Sequence, residues 1–405
     1  MTNPNNVSLN IHHELSFIDG HALNIPTLKI LSETGDVYPG ATVPNISQDT
    51  ALRLYRTMRF IRMLDERMQA AQRQGRISFY MQCLGEEAAV TASAAALDDN
   101  DMIMAQYREQ AALHYRGFRL DQFMNQMFSN ELDLGKGRQM PIHYGSNELN
   151  YMTISSPLGT QIPQASGHAY GQKLKHIDAQ TGELASPIDH VTICYFGEGA
   201  ASEGDFHAGL NMAAVLKAPV IFFARNNGYA ISTPADEQFA GDGIASRGVG
   251  YGIKTIRVDG ADALAVFAAT QAARDICVKT GEPVLIESIA YRLGAHSTSD
   301  DPSGYRSKEE EADHQLNCPI ARFKKWLVAQ NWLDEALDDE EKEAIREQIL
   351  EAVKVAEKVE KPALESLISD VYDSPIPELS EQYEQLKAHI LAHPDAYPTT
   401  AGRIK

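Results

Sequence analysis

Residues 191–233 read VTICYFGEGAASEGDFHAGLNMAAVLKAPVIFFARNNGYAIST, and this stretch decides the fold. VTICYF (191–196) is a β-branched and aromatic run that stops at glycine. A segment with helical spacing at Phe206, Leu210 and Ala214 follows, and then a second apolar run, APVIFFA (218–224). Short apolar runs separated by helical segments predict a parallel sheet covered by helices. In such a sheet the functional loops sit at the carboxyl ends of the strands.

The same alternation continues outward. IKTIRV (253–258), a helical pattern over 261–279 and EPVLIESIAYR (282–292) extend the series. Upstream, apolar spacing predicts a helix over 51–74, and the Ala-rich GEEAAVTASAAAL predicts another over 85–97. The Pro-, Asn- and Ser-rich residues 1–50 read as an extended N-terminal arm. Residues 51–306 form the α/β domain, and the charged segment 307–405 reads as a helical C-terminal region on or beside it.

The chain has 405 residues, 43% of them hydrophobic, which is ample for a large core. With 36 basic against 55 acidic side chains it carries a formal charge of −19, which argues against phosphate-neutralising nucleic-acid binding. No apolar run approaches the ~20 residues that span a bilayer, so no membrane partner is expected. Cys83, Cys194, Cys277 and Cys318 are widely separated, which suggests neither a disulfide framework nor a zinc site. The N-terminus lacks the patterns of a secretion signal or transit peptide, and a cytoplasmic location is expected.

The turn Gly197-Glu198-Gly199 ahead of a helix favours a bound phosphate or diphosphate. A dinucleotide site fits poorly, because Ser202 stands where a third glycine would be and Glu198 would repel a bare pyrophosphate. The next strand also runs into Arg225-Asn226-Asn227 rather than into an acidic residue. A cation-bridged diphosphate accounts for the same features. Magnesium takes about six oxygens, commonly from one or two protein groups plus phosphates. Glu198 offers a carboxylate, Asn227 an amide oxygen and the Gly228-Tyr229 turn a carbonyl. The bland alternative for Asn226-Asn227-Gly228 is ordinary turn chemistry.

Gly197-Glu198-Gly199, 26 intervening residues and Asn226-Asn227 resemble the thiamin-diphosphate motif, with Glu198 in place of the usual aspartate. GEGAASEGD, RNNGYAISTP, QYREQ (106–110), DLGKGRQMPIHYG (133–145), SSPLGTQIPQA (155–165) and YRLGAHSTSDDPSGYR (291–306) extend the resemblance. Together they look like the alpha chains of the decarboxylating component of branched-chain 2-oxo acid dehydrogenase complexes, from about Leu52 to past Arg306.

The resemblance implies thiamin diphosphate as cofactor, with magnesium held by Glu198, Asn227 and the Tyr229 carbonyl. Gly199 and Ala200 would lie near the diphosphate, Arg225 and Arg108 would face the phosphates, and Tyr107 would sit beside the cofactor. Ser156 and Leu158 would line the cofactor and acyl pocket. In relatives the loop matching Ser155, Pro157, Thr160 and Gln161 binds potassium; the alternative is that Ser-Ser-Pro caps a small-residue helix (Ala165, Gly167, Ala169, Gly171), and both readings stay open. His296 is the expected catalytic residue. Its polar loop suggests a solvated imidazole titrating near neutrality, and the family match puts it beside the cofactor, assisting acyl transfer. Ser297 matches a phosphorylated position of mammalian relatives.

The implied reaction is oxidative decarboxylation of branched-chain 2-oxo acids with acyl transfer to lipoamide on a partner acyltransferase core. Only one α/β domain is visible here. The resemblance therefore implies a beta subunit that supplies a second, in a two-alpha, two-beta assembly. A pyruvate- or acetoin-type dehydrogenase alpha chain is the alternative within the class, and a non-catalytic structural subunit the alternative outside it.

Overall fold

The computed structural model describes residues 13–397. Its centre is a six-stranded parallel sheet: β1 (Thr27–Leu28), β2 (Met102–Met104), β3 (Thr192–Gly197), β4 (Val220–Asn226), β5 (Lys254–Asp259) and β6 (Val284–Ile289), in the order β1-β5-β6-β4-β3-β2. The four strands foreseen in the sequence are β3 to β6. β1 and β2 are too short to carry a period of their own, and neighbouring strands hold them.

Along β3 and β4 successive side chains go to opposite faces. Ile193, Tyr195, Ile221 and Phe223 join one apolar cluster, and Cys194, Phe196, Phe222 and Ala224 join the other. Both faces are covered, so these strands read as continuous apolar runs. Helices α1 (Gln48–Arg73), α2 (Glu87–Ala95) and α5 (Ala263–Thr280) cover the first face; α3 (Gln161–Lys173) and α4 (Gly204–Leu216) cover the second.

The small residues of α3 behave differently from expectation. Ala165 and Ala169 are buried, but nothing lies within 4 Å of where a Cβ would stand on Gly167 or Gly171. The close approach comes instead from Gly209 of α4, where an added Cβ would meet Ile162 at 2.8 Å. Ser-Ser-Pro does not cap this helix, which begins at Gln161 after Thr160.

The arm is extended but docked. Its first 12 residues lie outside the described ones. Thr27 and Leu28 pair with Arg257 and Val258 of β5, and Ile30 and Leu31 are buried. Asp262, at the N-cap of α5, accepts from Leu264 N and Ala265 N at 3.1 Å and from Ile30 N and Leu31 N at 2.6 Å. One buried carboxylate thus starts a helix and anchors the arm.

The charged tail is helical, with α6 (Lys308–Leu316), α7 (Pro319–Ala329), α8 (Glu335–Ala356) and α9 (Pro377–Ala392). Phe323, Trp326 and Leu327 of α7 and Ile349, Val353 and Ala356 of α8 join the first cluster. Tyr55 of α1 donates to Asp338 of α8 at 2.9 Å. α7 and α8 therefore share the core of the α/β domain.

Removing the Asp262 carboxylate leaves four donors without their acceptor, each worth ~1 kcal/mol or more. Asp262→Ala should lower unfolding stability by about 3 kcal/mol, read as a lower urea midpoint at unchanged slope. An unchanged midpoint would show that the carboxylate anchors nothing.

Candidate functional site

Four neighbouring strands deliver their carboxyl ends to one edge of the sheet. β2 leads into Gln106-Tyr107-Arg108, β3 ends at Gly197, β4 ends at Asn226, and the chain after β6 runs through Arg292 to His296. Gly197 is in register with Arg225, and Asn226 with Ile289. The ends enclose a cleft of about 340 Å³ whose lining includes Tyr107, Arg108, Leu158, Glu198, Gly199, Ala200, Arg225, Asn227, Tyr229 and His296. All ten were singled out from the sequence. Their convergence follows from the parallel pairing of β2, β3 and β4, which brings segments far apart in the chain to the same height.

Glu198 and Asn227 lie 29 positions apart in the chain, yet Asn227 N donates to Glu198 Oε2 at 3.3 Å. Glu198 is 2% exposed, and burial pushes its carboxyl up to about 7, with Glu86 nearby adding to the rise. Asn227 Oδ1 accepts from Tyr229 N at 3.3 Å. The carboxylate, the amide oxygen and the Tyr229 carbonyl are hard oxygen donors on one wall. Among the described residues no group of three His, Cys, Asp or Glu side chains is placed to hold a metal. A cation here would depend on one carboxylate, neutral oxygens and the ligand's own phosphates, a donor set that suits magnesium. Gly199 lets Ala230 pack closely against that wall, since a Cβ there would come within 2.9 Å of Ala230 Cβ.

Arg225 lines the cleft, but its guanidinium is held from behind. Nε donates to Glu109 Oε1 at 2.6 Å and Nη1 to Glu86 Oε2 at 2.9 Å, and all three residues are almost fully buried. Burial disfavours the charge, but Glu109 and then Glu86 more than offset this and hold the guanidinium above its usual pKa. Nη2 lies outside both pairs. Glu109 also accepts from the backbone N–H groups of Gln106 and Tyr107, each at 2.9 Å. Gln106 Oε1 in turn accepts from Gly197 N at 2.8 Å.

The environment of His296 differs from the expected one. The residue is partly buried, and Arg108 Nη2 donates to its carbonyl at 2.5 Å and lies 3.4 Å from its Nδ1. His296 N donates to Asp300 Oδ2 at 2.6 Å. Burial, then the charges of Arg108 and Arg292, push the imidazole down to about 3. The loop expected to be solvated is instead folded in, and burial, with Arg108 and Arg292, holds the ring below the neutral range expected of it. A guanidinium only donates, so Nδ1 is the acceptor and the proton sits on Nε2.

The loop before α3 stays apart from the cleft except for Leu158. Ser156 Oγ lies 2.9 Å from His143 Nε2, and Ser155 and Pro157 border it. Thr160 Oγ1 donates to the Pro157 carbonyl at 3.1 Å, and Gln161 Nε2 donates to the Tyr195 carbonyl at 3.0 Å. Ser297 Oγ accepts from Ser299 N at 3.3 Å.

Glu86, Glu109, Gln106 and Arg292 were missed in the sequence reading. Three of them had left a signal. Glu86-Glu87 opens an otherwise apolar, Ala-rich helix, and carboxylates buried there require partners. Gln106 and Glu109 belong to a motif in which only Tyr107 and Arg108 were assigned roles.

Residues 55–365 match the dehydrogenase E1 component family. The chain is 46% identical over 391 residues to the 2-oxoisovalerate dehydrogenase subunit alpha, mitochondrial, of Homo sapiens, covering 95% of this chain and 84% of that protein. It is 44% identical over 388 residues to subunit alpha 2, mitochondrial, of Arabidopsis thaliana, covering 95% and 80%. With the Caenorhabditis elegans subunit alpha, mitochondrial, it shares 46% over 379 residues, covering 92% and 84%. These relatives are named mitochondrial, which overturns the cytoplasmic expectation. That inference failed because it took the absence of a targeting pattern as evidence of compartment, which an absence does not carry. No helix among the described residues is long and apolar enough to cross a membrane.

In a histidine-selective NMR titration of the purified chain, the resonance lost in His296→Asn should stay still between about pH 8 and pH 5. Its proton comes on far below its ordinary pKa, so the ring remains neutral throughout that window. A midpoint near 6.5 would show a freely solvated imidazole.

Proposed function

Because this chain belongs to the dehydrogenase E1 component family, we propose that it is the alpha chain of a branched-chain 2-oxo acid dehydrogenase. It decarboxylates 2-oxo acids such as 3-methyl-2-oxobutanoate and passes the acyl group to lipoamide of an acyltransferase core. The observation that carries this reading is the cleft itself. Glu198, Asn227, Arg108 and His296 converge at four strand ends in a chain resembling 2-oxoisovalerate dehydrogenase alpha subunits along nearly its whole length.

Thiamin diphosphate, when bound, supplies the carbon nucleophile and the electron sink that decarboxylation needs. The chain's own residues bind and orient it. Glu198, the Asn227 amide oxygen and the Tyr229 carbonyl would hold magnesium against the diphosphate, and that cation would compensate the buried Glu198 charge. Arg108 and Arg225 add positive charge on the phosphate side. Gly199 and Ala200 let the backbone approach, while Tyr107 and Leu158 border the cofactor and acyl pocket. His296 acts through its Nε2–H as a neutral hydrogen-bond donor to the reacting acyl group rather than as a base.

A potassium ion would be held at the loop of Ser155, Pro157, Thr160 and Gln161, where the Pro157 and Thr160 oxygens lie close enough to share one cation. The single α/β domain leaves the far side of the cofactor for a beta subunit, in a two-alpha, two-beta assembly. Ser297, one residue from His296, is a candidate for phosphorylation, which would place negative charge beside the cleft.

Co-expressed with its beta chain, the enzyme should prefer 3-methyl-2-oxobutanoate over pyruvate at least ~10-fold in kcat/KM, since one or two methylenes are worth ~1–3 kcal/mol each. Preference for pyruvate would reassign the substrate. Glu198→Gln keeps the shape and removes the charge. In calorimetry it should weaken magnesium-dependent binding of thiamin diphosphate by at least ~10-fold, about 1.4 kcal/mol. Undiminished affinity would remove the cation from Glu198.

A further inference from the structure

The wall behind the cleft holds a glutamate with two donors and no opening to solvent. Glu86 is 0% exposed and does not line the cleft. Its Oε2 accepts from Arg225 Nη1 and its Oε1 accepts from Asn227 Nδ2, both at 2.9 Å. Arg225 cannot swing away, because its Nε is fixed on Glu109. The Glu86 carboxylate is thereby fixed in orientation, with one oxygen for each donor.

An asparagine amide has two nearly isosteric ends, of which only the oxygen can bind a cation. Rotated by half a turn, Asn227 would present its NH2 to the cleft and lose any capacity as a ligand. With an accepting carboxylate behind Nδ2, the rotated amide would set oxygen against oxygen in a buried site. The neighbouring asparagine makes the contrast. Asn226 Nδ2 donates to Glu287 Oε1 at 2.8 Å, its Oδ1 accepts from Gly228 N at 3.1 Å, and it lies off the cleft. Both amides are set by a buried glutamate, but only that of Asn227 borders the space beside Glu198.

We propose that Glu86 is the positioning residue that fixes the rotation of the Asn227 amide, so that oxygen and not nitrogen is presented to the cation. This rests on the reading of the cleft as a cation–diphosphate site. Groups behind a ligand that set its orientation commonly matter 10–100-fold for metal affinity.

The test uses the chain assembled with its beta subunit and manganese(II) plus thiamin diphosphate as the probe, with bound manganese followed by electron paramagnetic resonance. Glu86→Gln offers one acceptor and one NH2. Arg225 claims the acceptor, so the NH2 faces Asn227 and favours the rotated amide. Manganese affinity should fall at least ~10-fold. Adding Asn227→Asp should restore it to within about threefold, because a carboxylate presents oxygen at both ends, accepts from the new NH2 and keeps the total charge. Asn227→Asp alone should weaken binding despite the added negative charge, since it sets a carboxylate against Glu86.

Unchanged affinity in Glu86→Gln, or no recovery in the double variant, would overturn the proposal, as would tighter binding in Asn227→Asp. Should Glu86→Gln fail to assemble, Asn227→Asp alone decides. Glu198→Gln separates the two layers: if it too leaves manganese affinity unchanged, the cation site itself is misplaced. If Glu198→Gln weakens binding and Glu86→Gln does not, only the role of Glu86 falls.

Discussion

A single buried guanidinium ties the working edge of this protein together. Arg225 leaves the end of β4 and meets Glu109, after β2, and Glu86, at the start of α2. Removing one partner of a buried pair leaves an uncompensated charge and costs roughly 3–5 kcal/mol, whereas an apolar replacement of the whole cluster can be neutral. Its value is therefore specificity of geometry more than net stability. Glu109 passes that geometry to the Gln106–Tyr107 backbone, Gln106 passes it to Gly197, and Glu86 passes it to Asn227.

The parallel sheet makes the chain of contacts feasible. All strands point the same way, so the polar loops gather at one edge while both faces stay apolar. Charge that would be costly in the core is placed just above it. There the strand ends stop consuming backbone hydrogen-bond groups and side chains take over. The same economy appears at Asp262, where one carboxylate serves four N–H groups and joins the N-terminal arm to the sheet.

The electrostatics of the cleft divide its residues by function. Glu198 is a buried carboxylate, and burial, with the Glu86 charge nearby, holds its pKa above the usual carboxylate range. His296 is pushed the other way, by burial first and then by two arginines. An imidazole flanked by guanidinium groups is thus suited to hydrogen bonding and unsuited to collecting protons near neutrality.

Much was legible in the residues themselves. The apolar runs at 191–196 and 218–224, with glycine and asparagine turns at their ends, located β3, β4 and the two halves of the cleft, because a strand buried on both faces must be apolar throughout. Tyr107, Arg108 and His296 were named from motifs alone. What eluded a linear reading were contacts between distant segments: the strand made by Thr27 and Leu28, the glutamates behind Arg225 and Asn227, and Arg108 against His296. Periodicity and turn chemistry are local and survive in one dimension. Burial, ion pairing and the proton affinity of a side chain depend on which remote groups the fold sets beside it, and these are decided only when the sheet closes.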